Sequence, residues 1–226
     1  MRNHQVSQKK LKVKGIFFDL DGTIVDSKQA YVEAARAAFE SARQKPPKKR
    51  DSLEIPRRLE QGLPINDIVR FDVQRFLDVY LKTYYSVTRT TTKLVPNVEA
   101  ALQVLSGKAK LALITMRFVP KTAVIEELEQ FGLAEYFTYV ITALDTHKPK
   151  PSPEALIKAV KALDVNMCDC VIVGDSVTDM RAGKAAGAMT VAVLSGLFSR
   201  EELSRETPDL ILKDVTELPL FLDYFN

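Results

Sequence analysis

The sequence predicts an α/β fold: a doubly wound, Rossmann-like parallel sheet with an all-helical cap inserted after its first strand. Three observations carry that expectation. From Asn97 onward, short apolar β-prone runs alternate with helical patterns, as in a parallel sheet covered by helices on both faces. One run of the same kind, Ile16–Phe18, stands alone far upstream. Between Lys28 and about Thr92 only helical periodicity occurs. The expected units are therefore a core of residues 1–27 and 94–226 and a cap of residues 28–93.

The first strand sits in GIFFDLDGTIVDS, Gly15 to Ser27. Ile16, Phe17 and Phe18 suit a strand buried on both faces. Asp19 and Asp21 follow, two residues apart, so on an extended chain both face the same side. Gly22 then breaks the run. The cap begins with a helix carrying Tyr31, Ala34, Ala35, Ala38 and Phe39 at helical spacing, ended by Pro46 and Pro47. A second helix is expected over Ser52–Gln61 and a long third over about Ile65–Val87. On the third, Val69, Val73, Phe76, Leu77, Tyr80, Leu81 and Tyr84 share a face. Thr88–Lys93 reads as an extended connector.

In the core, helix Val98–Leu105 precedes strand Leu111–Thr115, and helix Lys121–Phe131 precedes strand Tyr139–Ala143. Ser152 and Pro153 form a cap and first position for a helix to about Leu163. Strand Val171–Val173, helix Val177–Ala186 closed by Gly187, strand Thr190–Leu194, a short strand Leu210–Leu212 and a terminal helix complete the series.

The 226 residues suffice for a core domain plus a smaller unit. A net charge of +3, from 32 basic and 29 acidic side chains, is too even to point to nucleic acid. The basic run Lys9, Lys10, Lys12 and Lys14 reads as a solvated tail. No apolar stretch approaches the ~18 residues of a membrane span, and no signal peptide is visible. Cys168 and Cys170 are too close to bridge each other and too few for a metal site. They read as the entry of a buried strand in a protein of the reducing cytoplasm. A membrane and nucleic acid are thus not expected as partners, and monomer and homodimer are equally compatible.

Each core strand hands over to a polar residue at its carboxyl end, where open α/β sheets bind ligands. The first gives Asp19 and Asp21; the second gives Thr115, then Met116 and Arg117. The loop after the third strand gives Thr146, His147 and Lys148 in HKPKP, and VIVG gives Asp175, with Asp179 one helical turn on. A calcium loop starting at Asp19 fails, because its sixth and twelfth positions hold Ile24 and Ala30. Converging carboxylates, a hydroxyl and an ammonium suit a Mg²⁺-assisted phosphoryl site.

The ordered set DLDGT (Asp19–Thr23), a strand ending in Thr115, Lys148 with Pro149, and GDSVTD (Gly174–Asp179) resembles the four motifs of the haloacid dehalogenase-like superfamily. The resemblance covers nearly the whole chain, and the helical insert resembles the cap of its phosphoglycolate phosphatase-like branch. It implies main-strand order 5-4-1-2-3 and a Mg²⁺-dependent phosphatase of small phosphorylated metabolites, phosphoglycolate-like or sugar phosphates. Asp19 would be the nucleophile and Asp21 the general acid and base, with Thr115 and Lys148 holding the phosphoryl oxygens. Mg²⁺ would be held by Asp19, the Asp21 carbonyl, Asp175 and Asp179. Lys148 is preferred to Lys150 because it directly precedes Pro149. Substrate contacts are expected from Met116 and Arg117, a surface salt bridge being nearly as good an account of the latter. Asp26 reads as a helix-starting residue and His147 as solvated. The basic residues Lys48, Lys49, Arg50, Arg57 and Arg58 read mostly as a solvated helix face.

A phosphomutase of the same superfamily is the nearest rival, weakly disfavoured by Thr23, where related mutases usually carry Val. A dehalogenase would lack Asp21. A phospho-accepting signalling domain shares an aspartate, a hydroxyl and a lysine, but it is about half as long and has no insert. A silent binding protein would be expected to have lost at least one of these residues.

Overall fold

The computed structural model describes residues 11–223. Lys9 and Lys10 of the basic run lie outside the described residues. β1 (Leu11–Lys12), β2 (Gly15–Phe18) and the short β3 (Val25–Asp26) open the chain. The insert holds α1 (Lys28–Ser41), α2 (Lys49–Glu60) and α3 (Val73–Thr91), and β4 (Lys93–Leu94) brings the chain back. Next come α4 (Val98–Ser106), β5 (Lys110–Ile114), α5 (Lys121–Gln130), β6 (Tyr139–Ile141), α6 (Glu154–Leu163) and β7 (Cys170–Gly174). The chain finishes with α7 (Val177–Ala186), β8 (Met189–Val193), α8 (Arg200–Arg205), β9 (Leu210–Leu212) and β10 (Leu222–Asp223).

Six strands form one sheet in the order β6-β5-β2-β7-β8-β9, every neighbouring pair parallel. The order 5-4-1-2-3 expected for the main strands is present, with β9 added beyond β8. β2 lies at the centre, Phe18 in register with Leu113 of β5 on one side and Val173 of β7 on the other. Its alternating side chains serve both faces of the sheet. Ile16 and Phe18 join the cluster built with α4 and α5, and Phe17 joins the one built with α6. All three are fully buried, each worth roughly 1.5–3 kcal/mol against exposure. A strand so enclosed can release its chain only at the sheet edge, and it releases Asp19 there.

The insert has a core of its own, Ala30, Ala34, Ala35, Ala38 and Phe39 of α1 packing on Phe76, Tyr80 and Tyr84 of α3. Four small alanines let α3 approach closely, and Phe39 meets Phe76 edge-on at 5.7 Å. Tyr31 and Tyr84 stack flat at 4.8 Å.

Several boundaries differ from expectation for local reasons. The third helix starts at Val73, not near Ile65, because Asp72 caps it, its carboxylate accepting from the Arg75 amide at 3.0 Å. Ile65 and Val69 are still buried, from turns rather than from the helix. α3 continues through Thr91, so most of the expected extended connector is helical. α6 has Pro153 at its cap position, without a side-chain cap bond, and begins at Glu154. The expected terminal helix is a six-residue 3₁₀ turn, Val215–Leu220. α8 was not anticipated, although Ser199 and Glu202 form a capping box there. Cys170 is buried in β7, while Cys168 is exposed just before it.

Candidate active site

The ends of β2, β5 and β7 set the site. After Phe18 the chain turns at Gly22, whose φ of +86° favours glycine. A Cβ there would also lie 2.6 Å from Asp175 Oδ2. Gly196 approaches the same carboxylate still more closely, a Cβ at that position falling 1.6 Å from Oδ2. Both glycines are thus required by the space Asp175 occupies.

Asp19, Asp175 and Asp179 are all buried and offer carboxylate oxygens within 4.8 Å of one another. Asp175 Oδ2 accepts from the Leu197 amide at 3.1 Å. Asp179 is held by a capping box at the start of α7, Oδ2 accepting from the Ser176 hydroxyl at 2.7 Å. Burial pushes the Asp19 and Asp175 carboxyls well above the ordinary range. The Lys150 charge opposes that rise at Asp19, whereas neighbouring acids reinforce it at Asp175. Three hard oxygen donors in one cradle fit a divalent cation such as Mg²⁺, which would relieve their repulsion.

The ammonium at this cluster belongs to Lys150. Its Nζ donates to Asp19 Oδ1 at 2.7 Å, to Asp179 Oδ1 at 2.6 Å and to the Ile114 carbonyl at 3.2 Å. Burial would lower its pKa, but the charges of Asp179, Asp19 and Glu60 prevail and hold it protonated. Lys148, the lysine preferred from the sequence, is exposed. The Glu154 carboxylate accepts from the His147 and Lys148 amides, both at 3.0 Å, and holds that part of the loop beside the start of α6. The chain turns inward only afterwards, and it brings Lys150 rather than Lys148 to Asp19 and Asp179.

Asp21 stands apart from the three-acid cluster, and its side chain belongs to a different network. Arg117 grips it with two bonds of 2.7 Å, from Nε and Nη2, and the Ser27 hydroxyl donates to it as well. Burial alone would raise this carboxyl; the Arg117 charge together with the hydrogen bonds from Arg117 and Ser27 outweighs burial and holds it below the ordinary range. Arg117 is only 4% exposed and also donates to the buried Glu127. The surface salt bridge considered for it is therefore replaced by a three-charge group in which Arg117 and Glu127 are buried and Asp21 is partly so. Thr115 is buried, its hydroxyl accepting from the Arg117 amide at 3.2 Å. Asp26 accepts from the Lys28 amide at the start of α1, a local role as expected.

A pocket of about 200 Å³ lies between insert and core. Asp21, Met116, Arg117 and Asp175 line it from the core, Tyr31, Glu60, Tyr80 and Tyr84 from the insert. Glu60, at the end of α2, had no mark in the sequence to distinguish it from other helix-surface acids. It accepts a hydrogen bond from Thr178, the residue before Asp179. Burial and the Asp179 charge raise its carboxyl. Of the basic residues of α2, Arg57 and Arg58 are tied into ion pairs with Glu54, Glu202 and Asp67.

The family model for haloacid dehalogenase-like hydrolases matches residues 16–193, a span holding every strand-end residue named above. The chain belongs to this family. A phosphoglycolate phosphatase of Neisseria meningitidis is 32% identical, covering 91% of this chain and 92% of its own. A pyrophosphatase of Halalkalibacterium halodurans is 26% identical, covering 92% and 96%. Among solved structures, a haloacid dehalogenase-like family hydrolase of Streptococcus pneumoniae superposes with a TM-score of 0.78 over 93% of this chain and 98% of its own, at 20% identity. As a member of this family the protein is an enzyme, a hydrolase of the phosphatase type.

Proposed function

We propose that this enzyme is a Mg²⁺-dependent phosphatase that hydrolyses a small phosphorylated metabolite, phosphoglycolate-like or a sugar phosphate, through an aspartyl-phosphate on Asp19. The observation that carries the reading is the convergence of Asp19, Asp175 and Asp179 around the Lys150 ammonium, at the carboxyl ends of parallel strands. An Asp19 oxygen would attack phosphorus while the ester oxygen leaves. Lys150 and Thr115 would hold the phosphoryl oxygens, with positioning and charge stabilisation as their contribution. Asp19, Asp175, Asp179 and the Asp21 carbonyl would hold Mg²⁺. When bound, the ion would screen the anionic nucleophile from the anionic phosphoryl group.

Asp21 would protonate the leaving alkoxide and then take a proton from the water that hydrolyses the intermediate. With Arg117 on both its oxygens, Asp21 is set as a base. Its acid role requires that a proton arrive and the clamp loosen. The insert would act as a cap that excludes bulk water from the pocket. The two free cysteines and the bacterial relatives favour a cytoplasmic location.

The test is phosphate release from p-nitrophenyl phosphate and a panel of phosphorylated metabolites, with Mg²⁺ or EDTA, for the wild type and Asp19→Asn. Metal-dependent release abolished by the substitution is expected. Release indifferent to EDTA or to Asp19→Asn would overturn the mechanism.

A further inference from the structure

The wall of the pocket carries more information than the family does. On its insert side Tyr31, Tyr80, Tyr84, Leu59 and Leu81 line it with rings and aliphatic side chains, and Met116 lines it from the core side. Its volume of about 200 Å³ is small beside the ~300–1,000 Å³ of pockets for drug-sized ligands.

The charges in that wall are unfavourable to an anion. Four carboxylates line the pocket, those of Asp21, Asp26, Glu60 and Asp175, against two cations, Arg117 and Lys28. Arg117 is flanked by both Asp21 and Glu127, so one guanidinium faces two carboxylates. A further anion arriving there would meet a group already net negative. Lys28 spends one donor on the Ser195 carbonyl at 2.6 Å. Even with a divalent cation balancing Asp175, the remaining wall holds no surplus of positive charge.

Two hydroxyls of this wall, those of Tyr80 and Tyr84, are left without a hydrogen-bond partner. The Tyr80 hydroxyl is buried, the residue being 2% exposed, and it has no hydrogen-bond partner. Buried hydroxyls are normally satisfied, and leaving one unpaired costs about 1–3 kcal/mol. Tyr80 is one of the residues that line the pocket.

We infer that the alcohol released by this phosphatase is uncharged and ring-bearing, packed against the apolar side of the wall and hydrogen-bonded by Tyr80, and that substrates with a second anionic group are discriminated against. This rests on the phosphatase reading above and selects within it. The class differs from that named for the relatives, whose phosphoglycolate and pyrophosphate release groups that carry a carboxylate or a phosphate.

The experiment compares kcat/KM for benzyl phosphate, phosphoglycolate and inorganic pyrophosphate on the wild-type enzyme with Mg²⁺. Benzyl alcohol and glycolate are both alkoxide leaving groups, so the comparison isolates ring against carboxylate. Benzyl phosphate is expected to be favoured at least tenfold over both. A hydroxyl-bearing benzyl phosphate provides the second arm: Tyr80→Phe should lower its kcat/KM by a larger factor than it lowers that of benzyl phosphate. Phosphoglycolate or pyrophosphate turned over as well as benzyl phosphate would overturn the inference and leave the phosphatase intact. An equal Tyr80→Phe effect on both ring substrates would remove Tyr80 from the recognition. Release from none of them, p-nitrophenyl phosphate included, would bring down the phosphatase reading itself.

Discussion

Replacing Lys150 by Met, set against the same change at Lys148, separates the two lysines of the HKPKP loop. Lys150 Nζ bonds two carboxylates at 2.7 and 2.6 Å, and the side chains of all three residues are at most 9% exposed. Met keeps the aliphatic stem and removes the charge, so Asp19 and Asp179 are left buried beside Asp175 with no ammonium between them. Removing one partner of a buried ion pair costs about 3–5 kcal/mol. For a chain of this size that corresponds to a fall in Tm of roughly 6–20 °C. The assay is thermal unfolding in EDTA, repeated in Mg²⁺. The loss should be largest in EDTA and partly restored by Mg²⁺, because a divalent cation neutralises the same carboxylates. Turnover should fall at least a hundredfold, about 2.7 kcal/mol of transition-state stabilisation. Lys148→Met, an exposed change, should alter stability by less than about 0.5 kcal/mol. A Lys150→Met protein as stable as the wild type in EDTA, or one matched by Lys148→Met in lost activity, would refute the reasoning.

Three further outcomes follow from the same geometry. Gly196→Ala places a methyl group on the Asp175 carboxylate; the Mg²⁺ concentration for half-maximal activity should rise at least about tenfold, ~1.4 kcal/mol. Gly107→Ala, where a Cβ meets nothing closer than 3.7 Å, should leave it unchanged, and parallel behaviour of the two would refute the cradle. Glu154 is pushed down from 4.5 to about 2 by its bond to Lys158 and by the His147 and Lys148 amides. Its stabilisation is therefore present above pH 4.5 and is lost as pH falls towards 2. The stability gap between wild type and Glu154→Gln, read by urea unfolding, should close across that window, and a gap that widens on acidification would show the sign to be wrong. Burial pushes the Cys170 thiol up to about 12, with the charges of Asp169 and Cys168 adding to it. A thiol-disulfide reagent at pH 8 should modify one cysteine of the folded protein, Cys168, and both only after denaturation; two fast thiols would contradict this.

The strands were legible because a doubly buried parallel strand has no polar alternation to blur it. Ile16–Phe18 and Val171–Val173 stand out as apolar runs, and both lie within strands. The acids at their ends were legible for the same reason, since an enclosed strand leaves its first polar residue at the sheet edge. The loop lysine was not. Lys148 and Lys150 each precede a proline, so their local signals are equivalent. What separates them is the pull of Glu154 on two backbone amides, a contact made across the start of α6. Asp72 did mark the start of α3, but Ile65, Ile68 and Val69 continued the apolar period upstream and masked it. Arg117 gripping Asp21, 96 positions away, and Glu60 reaching Thr178, 118 positions away, join residues whose local sequences contain nothing about each other.

β3 and β4 pair antiparallel, Val25 opposite Leu94 and Asp26 opposite Lys93. The helical insert therefore leaves the core and returns to it through a separate two-stranded ladder, a doorway two residues wide. Any helical unit whose ends meet that doorway can be exchanged without moving the register of the six strands, and Asp19, Lys150 and the acids beyond β7 would stay where they are. Recruitment to a new substrate would then be a change of one peripheral module, with the strand-end residues of the core left in place.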